Sequence, residues 1–353
     1  MLVGATAVAL LAAASAPQAQ GAAQEGVLDA RALGLIINDA DPLSVEIGRY
    51  YRARRAIPAA NVVHVNLSNG PSLTPEEFAR AKRVIDAHTP ALVQAYALAW
   101  TEPYRVGCMS VTSAVAYGFD VRSCASGCQR TPTSPYFNSD SRQPYRDFHL
   151  RPSMLLAARD FAHGKALIDR GIAADHTFPH GTAYLLDTSD RARDVRATTF
   201  AYLRLFADAR LRVQILRSDV LRNRSDVLFY FTGLADVADL DTVHFLPGAI
   251  ADHLTSFGGE LVGSPQMSSL EWLEAGATAS YGTVVEPCAF EEKFPEVPIV
   301  IRRYLAGETL IEAYWKSVAE PSQGVFIGEP LARPFAPHGS ASHLARAAGN
   351  GAP

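Results

Sequence analysis

Short apolar runs that stop on polar clusters set the pattern of this chain. Asp226-Val227-Leu228-Phe229-Tyr230-Phe231 stops at Thr232-Gly233. Leu246–Ala251 stops at Asp252-His253-Leu254-Thr255-Ser256-Phe257-Gly258-Gly259, and Gly276–Tyr281 at Gly282-Thr283-Val284-Val285-Glu286-Pro287-Cys288. Apolar runs of this length, bounded by Gly, Asp and Ser, predict buried strands. Upstream, Leu33–Ile37 closes on Asn38-Asp39-Ala40-Asp41, after which Pro42 opens a helix carrying Leu43, Ile47, Tyr50 and Tyr51 at helical spacing. Asn61–Leu67 alternates as a second strand, Thr74-Pro75-Glu76-Glu77 starts a helix to about His88, and Val93–Trp100 is a third strand. Then come a strand over Gly181–Leu186, a helix from about Ala192 to Ala209 and a strand over Leu211–Leu216. Beyond the three runs named first, Ile299–Leu305 and Leu310–Val318 read as helices and Gly324–Pro330 as a last strand and turn.

Strand, helix, strand, repeated twice, predicts an α/β fold of two adjacent, mostly parallel units with helices on both faces of the sheet. The first unit spans 24–160 and holds a long irregular segment at 118–152; the second spans 161–337. Tyr136, Phe137, Tyr145 and Phe148 argue that the irregular segment is ordered. Ser134–Ser141 reads either as a lid over a site or as a packed connector.

Composition narrows the class. The chain has 353 residues, a formal charge of -4 and 48% hydrophobic residues, so it has a real core and no broad basic footprint for nucleic acid. Residues 2–16 are apolar and uncharged, and Gly21-Ala22-Ala23 follows as a small-residue cleavage site. This outlines a signal peptide over 1–23, although no Lys or Arg precedes the apolar run. The expected product is exported, to the periplasm or beyond, without a membrane span after cleavage. A Gly, Ala and Ser rich tail at 338–353 reads as disordered. Cys108, Cys124, Cys128 and Cys288 are even in number, as disulfides in an oxidising compartment require. Cys124 and Cys128 could close a small loop, and Cys288 could pair with Cys108.

Ligands of open parallel sheets bind outside the carboxyl ends of the strands, so the clusters after Phe231, Ala251 and Tyr281 form the candidate locus. Asp252, His253 and Ser256 could supply an orienter, a base and a nucleophile. Against that, adjacent residues on an extended segment project to opposite faces, so the three cooperate only if the strand has already ended. Cys288 could serve as nucleophile with His253 beside it and Glu286 near. Thr232 and Gly233 would line such a site. Asn38, Asp39 and Asp41 could hold a hard cation, although helix capping explains them without one. Glu102, Tyr104 and Arg105 with Tyr136, Asn138 and Asp140 could form a polar wall for a peptide or glycan. No motif implies a cofactor or a metal centre.

Over roughly residues 180–336, the Tyr-x-Thr-Gly turn at 230–233, the Gly-Ala-x-Ala-x-Tyr-Gly strand at 276–282 and the Gly-Glu-Pro-Leu turn at 328–331 resemble the catalytic domain of gingipain-type cysteine peptidases, which belong to the caspase-like fold. Over nearly the whole chain, Asn-Asp-Ala-Asp-Pro-Leu-Ser at 38–44, Ser-Pro-Tyr-Phe-Asn-Ser-Asp-Ser at 134–141, Ala-Asp-His-Leu-Thr-Ser-Phe-Gly-Gly at 251–259 and Tyr-Gly-Thr-Val-Val-Glu-Pro-Cys at 281–288 resemble an uncharacterised family of exported bacterial proteins associated with exosortase sorting systems. The peptidase resemblance implies a His after the Thr-Gly turn and a Cys after the next strand. Here Leu234-Ala235 follows Gly233, and no Cys occurs in 252–256, so both positions are empty. A thiolate without its activating His cannot run that mechanism. The resemblances together imply a caspase/gingipain-like protein without its dyad. It would bind a peptide, glycan or cell-surface protein in envelope sorting or matrix assembly. A hydrolase using Cys288 or Ser256 with His253, and a structural envelope protein, are the alternatives.

Overall fold

The computed structural model describes residues 28–125, 128–205 and 208–337; the signal segment and the tail read from the sequence lie outside them. Among the described residues, ten strands form one sheet: β1 Leu33–Asn38, β2 Val62–Val65, β3 Ala95–Leu98, β4 Ser153–Leu155, β5 Gly181–Asp187, β6 Leu211–Arg217, β7 Arg224–Thr232, β8 Val243–His253, β9 Ala279–Thr283 and β10 Gly324–Gly328. Their spatial order is β2-β1-β3-β4-β10-β9-β8-β7-β5-β6. Every neighbouring pair is parallel except β9 with β10, where Ala279 stands opposite Gly328 and Thr283 opposite Gly324.

Two parallel five-stranded halves therefore run in opposite directions and meet at one antiparallel seam. Counted from its outer edge, each half has the order 2-1-3-4-5, the last strand of the first half being supplied by β10 from the far end of the chain. The carboxyl ends of β1, β3 and β4 open on one rim of the sheet, and those of β7, β8 and β9 on the other. A separate ribbon of Ser72–Leu73, Arg105–Val106 and Met109–Ser110 lies outside this sheet.

Among the described residues, eight α-helices flank the sheet: α1 Pro42–Arg55, α2 Pro75–His88, α3 Val111–Tyr117, α4 Pro144–Phe148, α5 Phe161–Ala174, α6 Leu270–Glu274, α7 Val297–Leu305 and α8 Leu310–Trp315. The start signals read from the sequence are used. Asp41 Oδ1 accepts from the Leu43 amide at 2.9 Å ahead of Pro42, and Thr74 and Glu77 form a reciprocal capping box. Side chains of α1, α7 and α8 pack into the core on one face, and those of α2, α3 and α6 on the other. The helix expected over Ala192–Ala209 is a 3-10 segment over Asp194–Leu205. Hydroxyls of Thr198 and Thr199 bond back to the carbonyls of Val195 and Arg196, three residues earlier, which competes with α-helical bonding there.

The Gly-Glu-Pro-Leu turn after β10 ties the halves together. Glu329 is fully buried; it pairs with Arg55 of α1 and accepts from Tyr51 Oη at 2.7 Å, while Arg55 also pairs with Asp175 after α5. A buried carboxylate survives only when paired and hydrogen-bonded in this way.

Candidate functional site

The three predicted turns do open side by side. Thr232 of β7 stands opposite His253 of β8, and Ile250 of β8 opposite Ala279 of β9. The strand β8, however, runs two residues past Ala251, so Asp252 and His253 are still strand residues and project to opposite faces. Both are about 1% exposed. Asp252 turns toward the α8 face, where Arg196 Nη2 lies 2.7 Å from its carboxylate and Tyr314 Oη donates to it at 2.9 Å. Burial raises its pKa, with Arg196 opposing.

His253 turns the other way. Trp272 Nε1–H donates to Nδ1 at 2.8 Å, so the ring proton sits on Nε2 and is donated to the Met267 carbonyl at 3.0 Å. Burial lowers its pKa to about 4. Both nitrogens are occupied, and the imidazole is neutral at pH 7. Ser256 lies beyond the strand end, where its carbonyl accepts from Thr283 Oγ1 at 2.9 Å; no hydrogen bond links its hydroxyl to a histidine among the described residues. Asp252, His253 and Ser256 are neighbours in sequence and do not form a relay.

The cysteines remove the thiol alternative. Cys128 bonds to Cys288 and Cys108 to Cys124, in place of the Cys124–Cys128 and Cys108–Cys288 pairings considered from the sequence. Chain folding, not spacing, decides this: Cys128 and Cys288 are 160 residues apart, and the loop after β9 brings them together. Glu286 Oε1 accepts from the Cys288 amide at 2.7 Å, a local turn bond rather than a contact to a base. A small cavity of about 150 Å³ lies here, bordered by Arg193, Ser256, Glu286 and Cys288. Its cation is engaged, since Arg193 pairs with Asp190 at 2.8 Å and donates to Thr255 Oγ1 at 3.0 Å.

The glycine motifs at this rim are explained by close backbone approach. A Cβ on Gly233 would lie 2.1 Å from the Arg193 carbonyl oxygen, and one on Gly282 would lie 2.3 Å from the Gly258 carbonyl carbon. The Gly258-Gly259 loop thus crosses directly over β9, with the Gly259 amide bonded to the Thr283 carbonyl at 2.9 Å. Thr232 is buried beneath, and the Gly233 carbonyl accepts from Thr188 Oγ1 at 2.8 Å. The Thr-Gly turn is therefore filled with protein.

The remaining predicted binding residues are dispersed. Asp39 is exposed and pairs with His64 Nδ1 at 2.7 Å, while Asn38 Oδ1 accepts from the amides of Ala40 and Leu67. Tyr136 is fully buried. The Asn138 amide bonds to the Lys316 carbonyl, and its side-chain oxygen accepts from Arg302 and Arg303. The 134–141 segment is consequently a packed connector docked on α7 and α8.

A better-formed recess lies on the opposite rim. In the first half the chain passes from β1 to β2 on one side and then to β3 on the other, so β1/β3 is a topological switch point. A cavity of about 490 Å³ opens there, lined by Asp41 and Leu43 after β1, Thr101 and Glu102 after β3, and Ala158 and Arg159 after β4. This volume lies in the range of small-ligand sites. At the matching β5/β7 position of the second half, the Arg193 backbone against Gly233 fills the crevice. Glu102 and Asp41 stand out in the sequence as polar strand-end residues, but their convergence depends on the strand order, which local patterning does not carry. No protein-family model, curated protein or solved structure matches this chain.

Proposed function

We propose that this is an exported binding protein on a caspase/gingipain-like frame that has no working nucleophile–base pair, and that its ligand enters the β1/β3 crevice. The observation that carries this is the open cavity of about 490 Å³ at a switch point whose counterpart in the other half is filled. The chemistry at the second rim favours binding over hydrolysis, since Cys288 is in a disulfide and His253 has both nitrogens engaged. Two disulfides support an oxidising compartment, and no helix among the described residues is long and apolar enough to cross a membrane. The resemblance to exported exosortase-associated proteins supports a peptide, glycan or surface-protein partner in envelope sorting or matrix assembly.

The test has two arms. Thiol- and serine-reactive activity probes should label neither Cys288 nor Ser256 in the purified protein. On peptide and glycan arrays, binding should be retained by the native chain and lost in Ala40→Trp, which places an indole in the cavity mouth. Labelling or peptide cleavage that His253→Ala abolishes would overturn the proposal, as would array binding indifferent to Ala40→Trp.

A further inference from the structure

A separate cavity, of about 320 Å³, lies where the loop after β9 meets the start of β10, and both disulfides border it. The two bonds differ in access. Cys128 is exposed, whereas Cys108 and Cys124 are half-buried. They differ in backbone as well. Cys128 and Cys288 both hold φ in the left-handed region, at 61° and 57°, which a residue with a Cβ rarely adopts, while Cys124 is ordinary at -84°. The Cys128–Cys288 bond therefore joins two constrained residues, and opening it releases both. Gln323 borders the same space. Its backbone is fixed, because the Val284 amide donates to its carbonyl at 2.9 Å. The residue is 2% exposed, yet its Oε1 has no hydrogen-bond partner, and no described residue bonds its amide nitrogen. Buried polar groups are nearly always paired, so an unpaired carboxamide at a cavity wall calls for an incoming partner.

We infer that this cavity is a thiol–disulfide exchange site for a cysteinyl peptide, with Gln323 pairing to the peptide's backbone amide while the peptide's thiolate attacks Cys128 Sγ. A carboxamide offers one acceptor and two donors, which matches the C=O and N–H of a peptide unit. The attack breaks the Cys128–Cys288 bond, Cys288 leaves as a thiolate, and a mixed disulfide joins the peptide to Cys128. A second cysteinyl thiolate then attacks the peptide's sulfur, and Cys128 leaves in turn. In sum, two peptide thiols are oxidised to one disulfide, two electrons pass to the protein, and Cys128 and Cys288 take up the two protons that the peptides release. The opened site stays assembled through contacts that do not involve sulfur. The Gln129 carbonyl accepts from Lys293 Nζ at 2.7 Å, and Arg130 pairs with Glu292 at 2.9 Å and with Glu320 at 3.0 Å. Glu286, also at the cavity wall, sets a carboxylate against any acidic thiol, so the favoured ligand is uncharged beside its cysteine. This activity lies apart from the β1/β3 crevice and stands or falls without the binding function proposed above.

The test treats the full, oxidised mature protein with a blocked Gly-Cys-Gly tripeptide or with mercaptoethanol, a thiol that has no amide. Reactions are quenched in acid, alkylated with N-ethylmaleimide and mapped by mass spectrometry, and rates are expressed per thiolate. The tripeptide should appear as a mixed disulfide on Cys128 with Cys288 alkylated, while Cys108–Cys124 stays closed. It should react at least about tenfold faster than mercaptoethanol, as two hydrogen bonds to Gln323 provide. Gln323→Met should bring that ratio below about threefold. It should not lower the thermal melt, because it removes a buried acceptor that has no partner. The inference falls if neither thiol opens the native protein, if Cys108–Cys124 opens first, if mercaptoethanol reacts as fast as the tripeptide, or if Gln323→Met keeps the preference.

Discussion

The buried imidazole of His253 makes a sharp prediction about acid stability. In the native protein its pKa is lowered to about 4, whereas an unfolded histidine titrates near 6.5. The unfolded chain therefore takes up a proton between these values that the folded chain refuses. Stability is fully present above pH 6.5 and declines as pH falls toward 4. The gap of roughly 2.5 pH units is worth about 3 kcal/mol in all, of which about 2 kcal/mol is lost between pH 7 and pH 5. Asp252 has the opposite sign: its raised native pKa makes protonation on acidification favour the folded state. Other groups titrate in the same window, so wild type must be compared with His253→Gln, which is neutral at every pH and retains an amide donor for the Met267 carbonyl. Urea denaturation at pH 7, 6 and 5 should show wild type losing about 2 kcal/mol more than the variant. Equal losses would refute the argument. So would an NMR spectrum with the ring proton on Nδ1, or an imidazolium formed above pH 6, and either would return His253 to consideration as a base.

Two further outcomes follow from the packing. The Cys128–Cys288 disulfide closes a chain separation of 160 residues and Cys108–Cys124 one of 16, so loop entropy assigns about 5 and about 3 kcal/mol respectively. Denaturant melts of Cys128→Ala/Cys288→Ala should accordingly show a loss about 2 kcal/mol larger than those of Cys108→Ala/Cys124→Ala, and the reverse ranking would contradict the entropic account. Gly282→Ala drives a methyl group into the Gly258-Gly259 backbone, which cannot swing away as a side chain would; destabilisation of at least about 2 kcal/mol is expected in thermal melts, and an unchanged midpoint would show that the loop yields.

Much of the framework was legible in the chain. The apolar runs at Leu33–Ile37, Phe229–Phe231 and Tyr281 are strands because they can be buried on both faces, and the caps at Asp41 and Thr74 start helices at the residues that carry the signal. The parallel neighbourhood of β7, β8 and β9 also follows from their order. What local pattern could not carry was set by distant partners. The strand β8 continues through Asp252 and His253 because Arg196, Tyr314, Met267 and Trp272 receive two polar side chains that would otherwise end it. The disulfide partners are chosen by the loop after β9, and the 134–141 segment becomes a connector because α7 and α8 offer it Lys316, Arg302 and Arg303. The β1/β3 crevice was within reach of a topological argument, and required knowing that β3 lies beside β1 rather than beside β2.

The seam between β9 and β10 bears on how the molecule is made. The first half lacks its fifth strand until the chain has been made through Gly328, because that strand follows every strand of the second half. The Glu329 contact that anchors Arg55 arrives equally late. A nascent chain halted before this point would display the open edge of β4, a template for unwanted strand pairing. Pairings so remote in sequence form slowly. Until that strand docks, the first half remains an incomplete sheet whose closure waits on segments made after the whole second half.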